Sequence, residues 1–187
     1  MSSDKVLLQV SADAALEISN IGHGAFAPLK GFMVEGDYRK VVETMRLSDG
    51  SPWTIPVTLD VPEGQITEVL TAGEVILVDD TQTELAKLTV QDIFKVDFPS
   101  VLKHIYGTDD PSHPGVAKES SRSPYRVGGR IEVLNLRSAM FDEYGLTPKQ
   151  CQERFKANGW KTIVGFQTRN PPHLAHEYLQ RVSLEIF

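Results

Sequence analysis

A pair of prolines divides the stretch TIVGFQTRNPPHLAHEYLQRVSLEIF, residues 162–187, into two pieces that admit few arrangements. Ahead of the pair, Ile163-Val164-Gly165-Phe166 is a short apolar run that reads as a strand, followed by the polar turn Gln167-Thr168-Arg169-Asn170. Behind it, Ala175, Leu179 and Val182 recur at the three- and four-residue spacing of one helix face. Asn170 suits the capping position of that helix and Pro171 its first turn, where a missing N–H costs nothing. The expectation is strand, turn, helix, as in an α/β nucleotide site. His173 and His176 are three apart and project from one side of the first turns. Free amides at the helix start, two imidazoles and the Arg169 guanidinium together make a pocket for an anion, phosphate above all. The same residues also admit a plainer reading, with Arg169 on the surface and the histidines as caps or packed rings. Neither GxGxxG nor GxxxxGK[ST] occurs in the sequence, so a dinucleotide fingerprint and a Walker loop are excluded.

Charge supports the anion reading locally. The chain has 187 residues and a formal charge of −6, which does not suit a general nucleic-acid surface. From Lys161 onward, however, three basic residues (Lys161, Arg169, Arg181) outnumber two acidic ones (Glu177, Glu185). Cys151 is the only cysteine. A disulfide within the chain and a cysteine-rich metal site are therefore excluded, and a buried thiol on a helix face is expected. Glu177 follows His176, but the HExxH order is absent, so no protein-bound metal is expected. The start, MSSDKVLLQV, lacks a basic segment followed by a long apolar run, and no window reaches membrane length. A cytoplasmic protein without a membrane partner is the expectation.

The preceding residues read as many short strands and few helices. Strands are expected at Leu7–Val10, Thr54–Leu59, Gln65–Leu70, Glu74–Val78, Glu84–Val90 and Arg130–Leu134. Ala12–Ile18 reads as a short helix. Asp37 to Arg46 reads as another, capped by Asp37, with Tyr38, Val41, Val42 and Met45 on its core face. Short helices are also expected around Ile93-Phe94 and around Val101. Gly22 to Phe32 is a glycine-punctuated loop pinned by Phe26, Leu29 and Phe32. Asp109, Asp110 and His113 have ligand chemistry but match no metal spacing and read as local caps. Lys118–Pro124 reads as an exposed loop. Thr147-Pro148-Lys149-Gln150 is a capping box that starts a helix to about Ala157. The domain boundary is expected between Leu136 and Thr147.

The run FQTRNPPHLAHEYLQ resembles the nucleotide- and sulfate-binding segment of the sulfate adenylyltransferase (ATP sulfurylase) family. GHGAFAPLKGFM, WTIPVTL, GTDDPSHPGV and NGWKTIVGF resemble that family in the same order along the chain. The resemblance implies a mixed fold: a β-rich PUA-like domain over 1–140, then the beginning of an α/β nucleotidyltransferase domain of Rossmann-like, HxxH type over 141–187. It implies the reaction of ATP with sulfate to adenosine 5′-phosphosulfate and diphosphate, in either direction, with Mg²⁺ arriving on ATP and a homo-oligomeric enzyme. It places Gln167 and Arg169 on the sulfate. Gln167, Thr168, Asn170, His173 and His176 fall at the nucleotide, and Arg169, Asn170, His173 and His176 are the catalytic set. Leu174 stands where many relatives carry a basic residue, which removes one charge near the phosphates. The family is longer than this chain and continues into a glycine-rich, basic GRDHAG-like loop. The apolar stripe ending at Leu184, Ile186 and Phe187 accordingly reads as that of a fragment, inactive alone. Two other readings compete: an HxxH or HxGH adenylyltransferase acting on another nucleotide, and a non-catalytic assembly module.

Overall fold

The computed structural model describes residues 5–136 and 145–187. They separate into two compact units, Met1–Gly145 and Leu146–Phe187. The division expected at 140/141 lies within 137–144, outside the described residues.

The first unit is built on a six-stranded mixed sheet. Strand β1 (Leu7–Gln9) runs parallel to β4 (Glu74–Val78). β4 pairs antiparallel with the long β5 (Glu84–Lys95), which pairs in turn with β6 (Tyr125–Val133). Two short strands share the far side of β6. β2 (Gly31–Phe32) lies opposite Gly129 and Arg130, and β3 (Leu59–Asp60) opposite Arg126 and Val127. Among the described residues five α-helices accompany the sheet: α1 (Ala12–Gly22), α2 (Glu35–Thr44), α3 (Ile66–Ala72), α4 (Phe98–Tyr106) and α5 (Pro114–Ser120). In α1 the Ser11 hydroxyl accepts from the Ala14 amide at 3.2 Å, and Ala14, Ile18 and Ile21 bury one stripe. Each isoleucine so buried contributes about 2 kcal/mol.

Gly128-Gly129 lets three segments meet on β6. A Cβ at Gly129 would lie 2.0 Å from the Thr89 carbonyl oxygen, and one at Gly31 would lie 2.0 Å from the Gly129 carbonyl oxygen. The pairing of β5 with β6 slips between Val90 and Asp92, a bulge that leaves Gln91 unpaired in the ladder. Asp92 sits just past the bulge and its carboxylate accepts from the Glu35 amide at 2.9 Å. Helix α2 is thus capped from a neighbouring strand rather than by its own N-cap residue, Val34.

Several local expectations are corrected. Gln65–Leu70 is not a strand but the end of the 3₁₀ turn Glu63–Gln65 leading into α3, a helix that ends at Gly73 in a left-handed cap and buries Val69 alone. β-branched Ile66, Thr67 and Val69 mimic a strand, but the short helix suffices to bury one apolar position. Ile93 and Phe94 continue β5 instead of forming a helix, since β6 supplies partners as far as Lys95. Thr54–Leu59 forms no continuous strand: Ile55 is 58% exposed, Pro56 removes a ladder donor, and only Leu59–Asp60 pairs. Asp37 does not cap α2 and instead accepts from the Ser48 hydroxyl. Met45 turns away from the core face and is exposed, because it is the left-handed C-cap of that helix. The Gly22–Phe32 loop closes in β2, and Lys118–Pro124 is partly helical and holds a half-buried Arg122. His113 does act as a cap, its Nδ1 accepting from Val116 at 3.4 Å, while Asp110 accepts from Ser112 at 2.8 Å.

The second unit holds α6 (Pro148–Ala157) and α7 (Leu174–Ile186). The capping box at the start of α6 is formed, with Thr147 Oγ1 accepting from Gln150 at 3.3 Å and Gln150 Oε1 from Thr147 at 2.8 Å. Cys151 is half-buried rather than buried, as α6 has no fully buried residue. Among the described residues no helix is long and apolar enough to cross a membrane.

Candidate functional site

The six residues singled out in the sequence, Gln167, Thr168, Arg169, Asn170, His173 and His176, all lie in the second unit, on the turn before α7 and on its first residues. The lead-in Thr162–Phe166 is not a strand. It runs without a ladder partner among the described residues, and Ile163, Val164 and Phe166 stay partly exposed. A short apolar run favours a strand, but a strand also needs a neighbour to pair with.

The helix begins later than the proline pair suggested. Pro172 disfavours the helical region for Pro171, and the first helical residue is Leu174. His173, not Asn170, is the N-cap: its Nδ1 accepts from the Ala175 amide at 3.3 Å. His176, at the third helical position, reaches back so that its Nδ1 accepts from the His173 amide at 3.3 Å. The two histidines therefore build a capping box from imidazoles, and their ring centroids are 3.9 Å apart. The edge-to-face ring of Phe166 stands 5.8 Å from His176 and backs it from the lead-in segment. Asn170 belongs to the turn, where its amide donates to Thr168 Oγ1 at 3.1 Å and its carbonyl accepts from the same hydroxyl at 3.3 Å.

This arrangement fixes the chemistry of the rings. An Nδ1 that accepts a backbone N–H carries its lone pair inward, so the proton of each neutral imidazole sits on Nε2 as a donor. Of the four amides that a helix start leaves without an intrahelical partner, those of His173 and Ala175 are taken by the imidazoles. The amide site is thus smaller than expected, but two Nε2–H donors are added to it. Gln167 and Arg169 are exposed and make no hydrogen bond or ion pair among the described residues. Their amide and guanidinium donors are free for a ligand. No contact draws these two toward the histidines.

Two further features bear on chemistry. Among the described residues no group of three His, Cys, Asp or Glu side chains could hold a metal ion. The first unit contains a polar cluster that the sequence reading missed: Arg126 is 0% exposed, its Nη2 is 2.8 Å from Glu119 and its Nη1 3.2 Å from Asp60. Arg122 joins both carboxylates, at 2.6 Å to Asp60 and 3.0 Å to Glu119. The one signal for it was an arginine directly before Val127 and Gly128-Gly129, the stretch of β6 that is buried.

Comparison with known proteins matches the first unit to the PUA-like domain family over residues 2–136 and residues 142–187 to the ATP-sulfurylase family. The sulfate adenylyltransferase of Pyrococcus abyssi is 43% identical over 177 residues, which cover 95% of this chain and 46% of that protein. That of Hyperthermus butylicus is 42% identical over 95% of this chain and 45% of its own length. That of Symbiobacterium thermophilum is 41% identical over 96% and 46%. The chain therefore spans about half the length of the curated relatives it matches. A solved structure, the hexameric APS kinase from Thiobacillus denitrificans, shares the fold, with a TM-score of 0.73 at 23% identity, over 98% of this chain and 33% of that one. With a PUA-like domain followed by ATP-sulfurylase sequence in one continuous match, the chain belongs to the sulfate adenylyltransferase (ATP sulfurylase) family, of which it represents the N-terminal portion.

Proposed function

We propose that this chain supplies the sulfate- and phosphate-facing segment of a sulfate adenylyltransferase, which joins ATP and sulfate into adenosine 5′-phosphosulfate and releases diphosphate. The observation that carries the reading is the pair of imidazoles locked at the start of α7 with both Nε2–H groups left to donate. In the reaction a sulfate oxygen attacks the α-phosphorus, the bond from that phosphorus to the bridging oxygen of the β-phosphate breaks, and diphosphate leaves with the electron pair. Sulfate is fully ionised near neutral pH, so no base is needed to activate it. The obstacle is bringing two polyanions into line, and fixed donors serve that purpose.

The roles divide by donor type. Arg169 offers a planar fork to two sulfate oxygens, and Gln167 adds a neutral amide donor. Thr168 and Asn170 shape the turn that faces the nucleotide. His173 and His176 donate to the α-phosphoryl oxygens and to the departing diphosphate, where charge grows in the transition state. Mg²⁺ enters on the ATP phosphates and neutralises part of their charge. The uncovered apolar side chains of the second unit, Leu174, Leu179 and Leu184 among them, pack against the remainder of the catalytic domain in the complete enzyme. Cytoplasmic location and a homo-oligomeric enzyme accompany this reading, in line with the hexameric solved relative.

Molybdate provides the test. It takes the place of sulfate, and its mixed anhydride with AMP breaks down in water. A protein in which this chain continues through the rest of an ATP-sulfurylase domain is expected to release AMP and diphosphate from Mg-ATP only when molybdate is present. Equal release with and without molybdate would contradict the assignment.

A further inference from the structure

The first unit holds a solvent-open cavity of about 440 Å³ that the catalytic reading does not use. Parts of α1, α2, α4 and α5 wall it, together with the segment from Ile55 to Asp60 and the residues after α5. Its cations are already matched. At the rim Lys118 pairs with Asp13 at 2.7 Å. Deeper in, Arg122 and the adjoining Arg126 share Asp60 and Glu119, two positive charges against two negative. Glu17, projecting from α1 into the same space, has no hydrogen bond or ion pair among the described residues. The net unmatched charge of the cavity is therefore one carboxylate.

A second polar group there lacks a partner. Tyr38 is 5% exposed, lines the cavity, and its hydroxyl oxygen is buried with no hydrogen bond among the described residues. That oxygen lies near enough to Glu119, Arg126 and Arg122 to respond to their charges. Buried hydroxyls are normally satisfied, and one left open at a cavity wall marks a place that a polar ligand atom completes. Ile55, Pro56 and Ile105 give the wall apolar surface, beside the hydroxyl-bearing Ser11, Thr58, Ser121 and Ser123.

We propose that this cavity binds a small organic cation, an alkylammonium group whose N–H bonds reach the Glu17 carboxylate and the Tyr38 hydroxyl while its hydrocarbon stem lies on Ile55, Pro56 and Ile105. An anion is disfavoured because every guanidinium and ammonium in the cavity is already held by a carboxylate. The cation must find Glu17 ionised. Burial lifts that carboxyl to about 7; Arg122 opposes the rise, while Asp13, Asp60 and Glu119 add to it. With Lys118, Tyr38 and Tyr106 at the wall and Arg126 adjoining it, these are the titratable and charged groups that face it. Binding consequently strengthens as pH rises through neutrality. Competent protein grows from about a tenth at pH 6 to about nine tenths at pH 8, so the apparent Kd falls roughly tenfold.

The experiment is an amide-resolved NMR titration of the chain with butylammonium, with 1-butanol as the neutral counterpart. Saturable shifts confined to the cavity wall, Ser11–Glu17, Tyr38, Ile55–Asp60, Ile105–Tyr106 and Lys118–Ser123, are expected, about tenfold tighter at pH 8 than at pH 6, and absent with 1-butanol. Glu17→Gln, which removes the buried charge and keeps the shape, is expected to lose at least tenfold in affinity with an otherwise superimposable spectrum. Tyr38→Phe is expected to weaken binding by a few-fold. Butylammonium shifts that do not saturate, equal binding of 1-butanol, or undiminished binding by a folded Glu17→Gln variant would each overturn the proposal. None of these outcomes bears on the catalytic reading, which rests on the other unit.

Discussion

Replacing Glu119 by alanine is expected to destabilise the first unit by about 3–5 kcal/mol, the cost of breaking a buried ion pair from one side. The reason is geometric. Arg126 is 0% exposed and reaches no water. It sits directly across from Asp60 in the ladder between β6 and β3, with Glu119 on its other side at 2.8 Å. Glu119 also holds Arg122 at 3.0 Å, so its loss leaves two guanidiniums to share Asp60. The Phe98 ring, 5.8 Å from the Arg126 guanidinium, and the Ser123 carbonyl oxygen supply only partial compensation. By contrast Glu132→Ala, which removes an exposed carboxylate 3.0 Å from the half-buried Lys87, is expected to cost under about 1 kcal/mol. Urea unfolding followed by far-UV circular dichroism separates the two. Similar midpoints for both variants would contradict the assignment of Glu119 to a structural cluster.

The second large effect concerns catalysis. On the proposed function, in a protein where this chain continues through the rest of an ATP-sulfurylase domain, His176→Ala is expected to lower kcat by about 10²–10³, or about 3 kcal/mol of transition-state stabilisation. Part of that loss comes from the helix start, since His176 also accepts from the His173 amide. His173→Asn separates the two roles. Asparagine is a good N-cap, so the bond to Ala175 N persists and α7 keeps its start. The Nε2–H donor is gone, and kcat is still expected to fall by 10²-fold or more. A His173→Asn enzyme with unchanged kcat would assign the ring to capping alone.

The placement of the candidate residues on one turn and helix start was legible in the sequence because they lie in one short stretch. HxxH spacing puts two rings on one side of a helix start whatever the surroundings, and the rings do meet. What local spacing did not convey was the point where the helix begins. Two prolines in succession keep Pro171 out of the helical region, and this moves the cap from Asn170 to His173. The capping box at Thr147 needed no such correction, as it depends on residues three apart. In the first unit, contacts distant in sequence decided what local pattern could not. Ile93 and Phe94 became strand because Val127 and Arg126 lay ready to pair with them, and α2 takes its cap from Asp92, 57 residues on. The Arg126 cluster joins residues from β3, α5 and β6, and no stretch of sequence contains it.

The most direct test of the account is diphosphate-dependent ATP formation from adenosine 5′-phosphosulfate. It is to be measured with Mg²⁺ present on this chain and on a protein in which it continues through the rest of an ATP-sulfurylase domain, each with and without Arg169→Ala. The account predicts ATP formation by the longer protein that is lost with Arg169→Ala, and none by the 187 residues alone. A folded longer protein that forms no ATP, or one indifferent to the loss of Arg169, would contradict it.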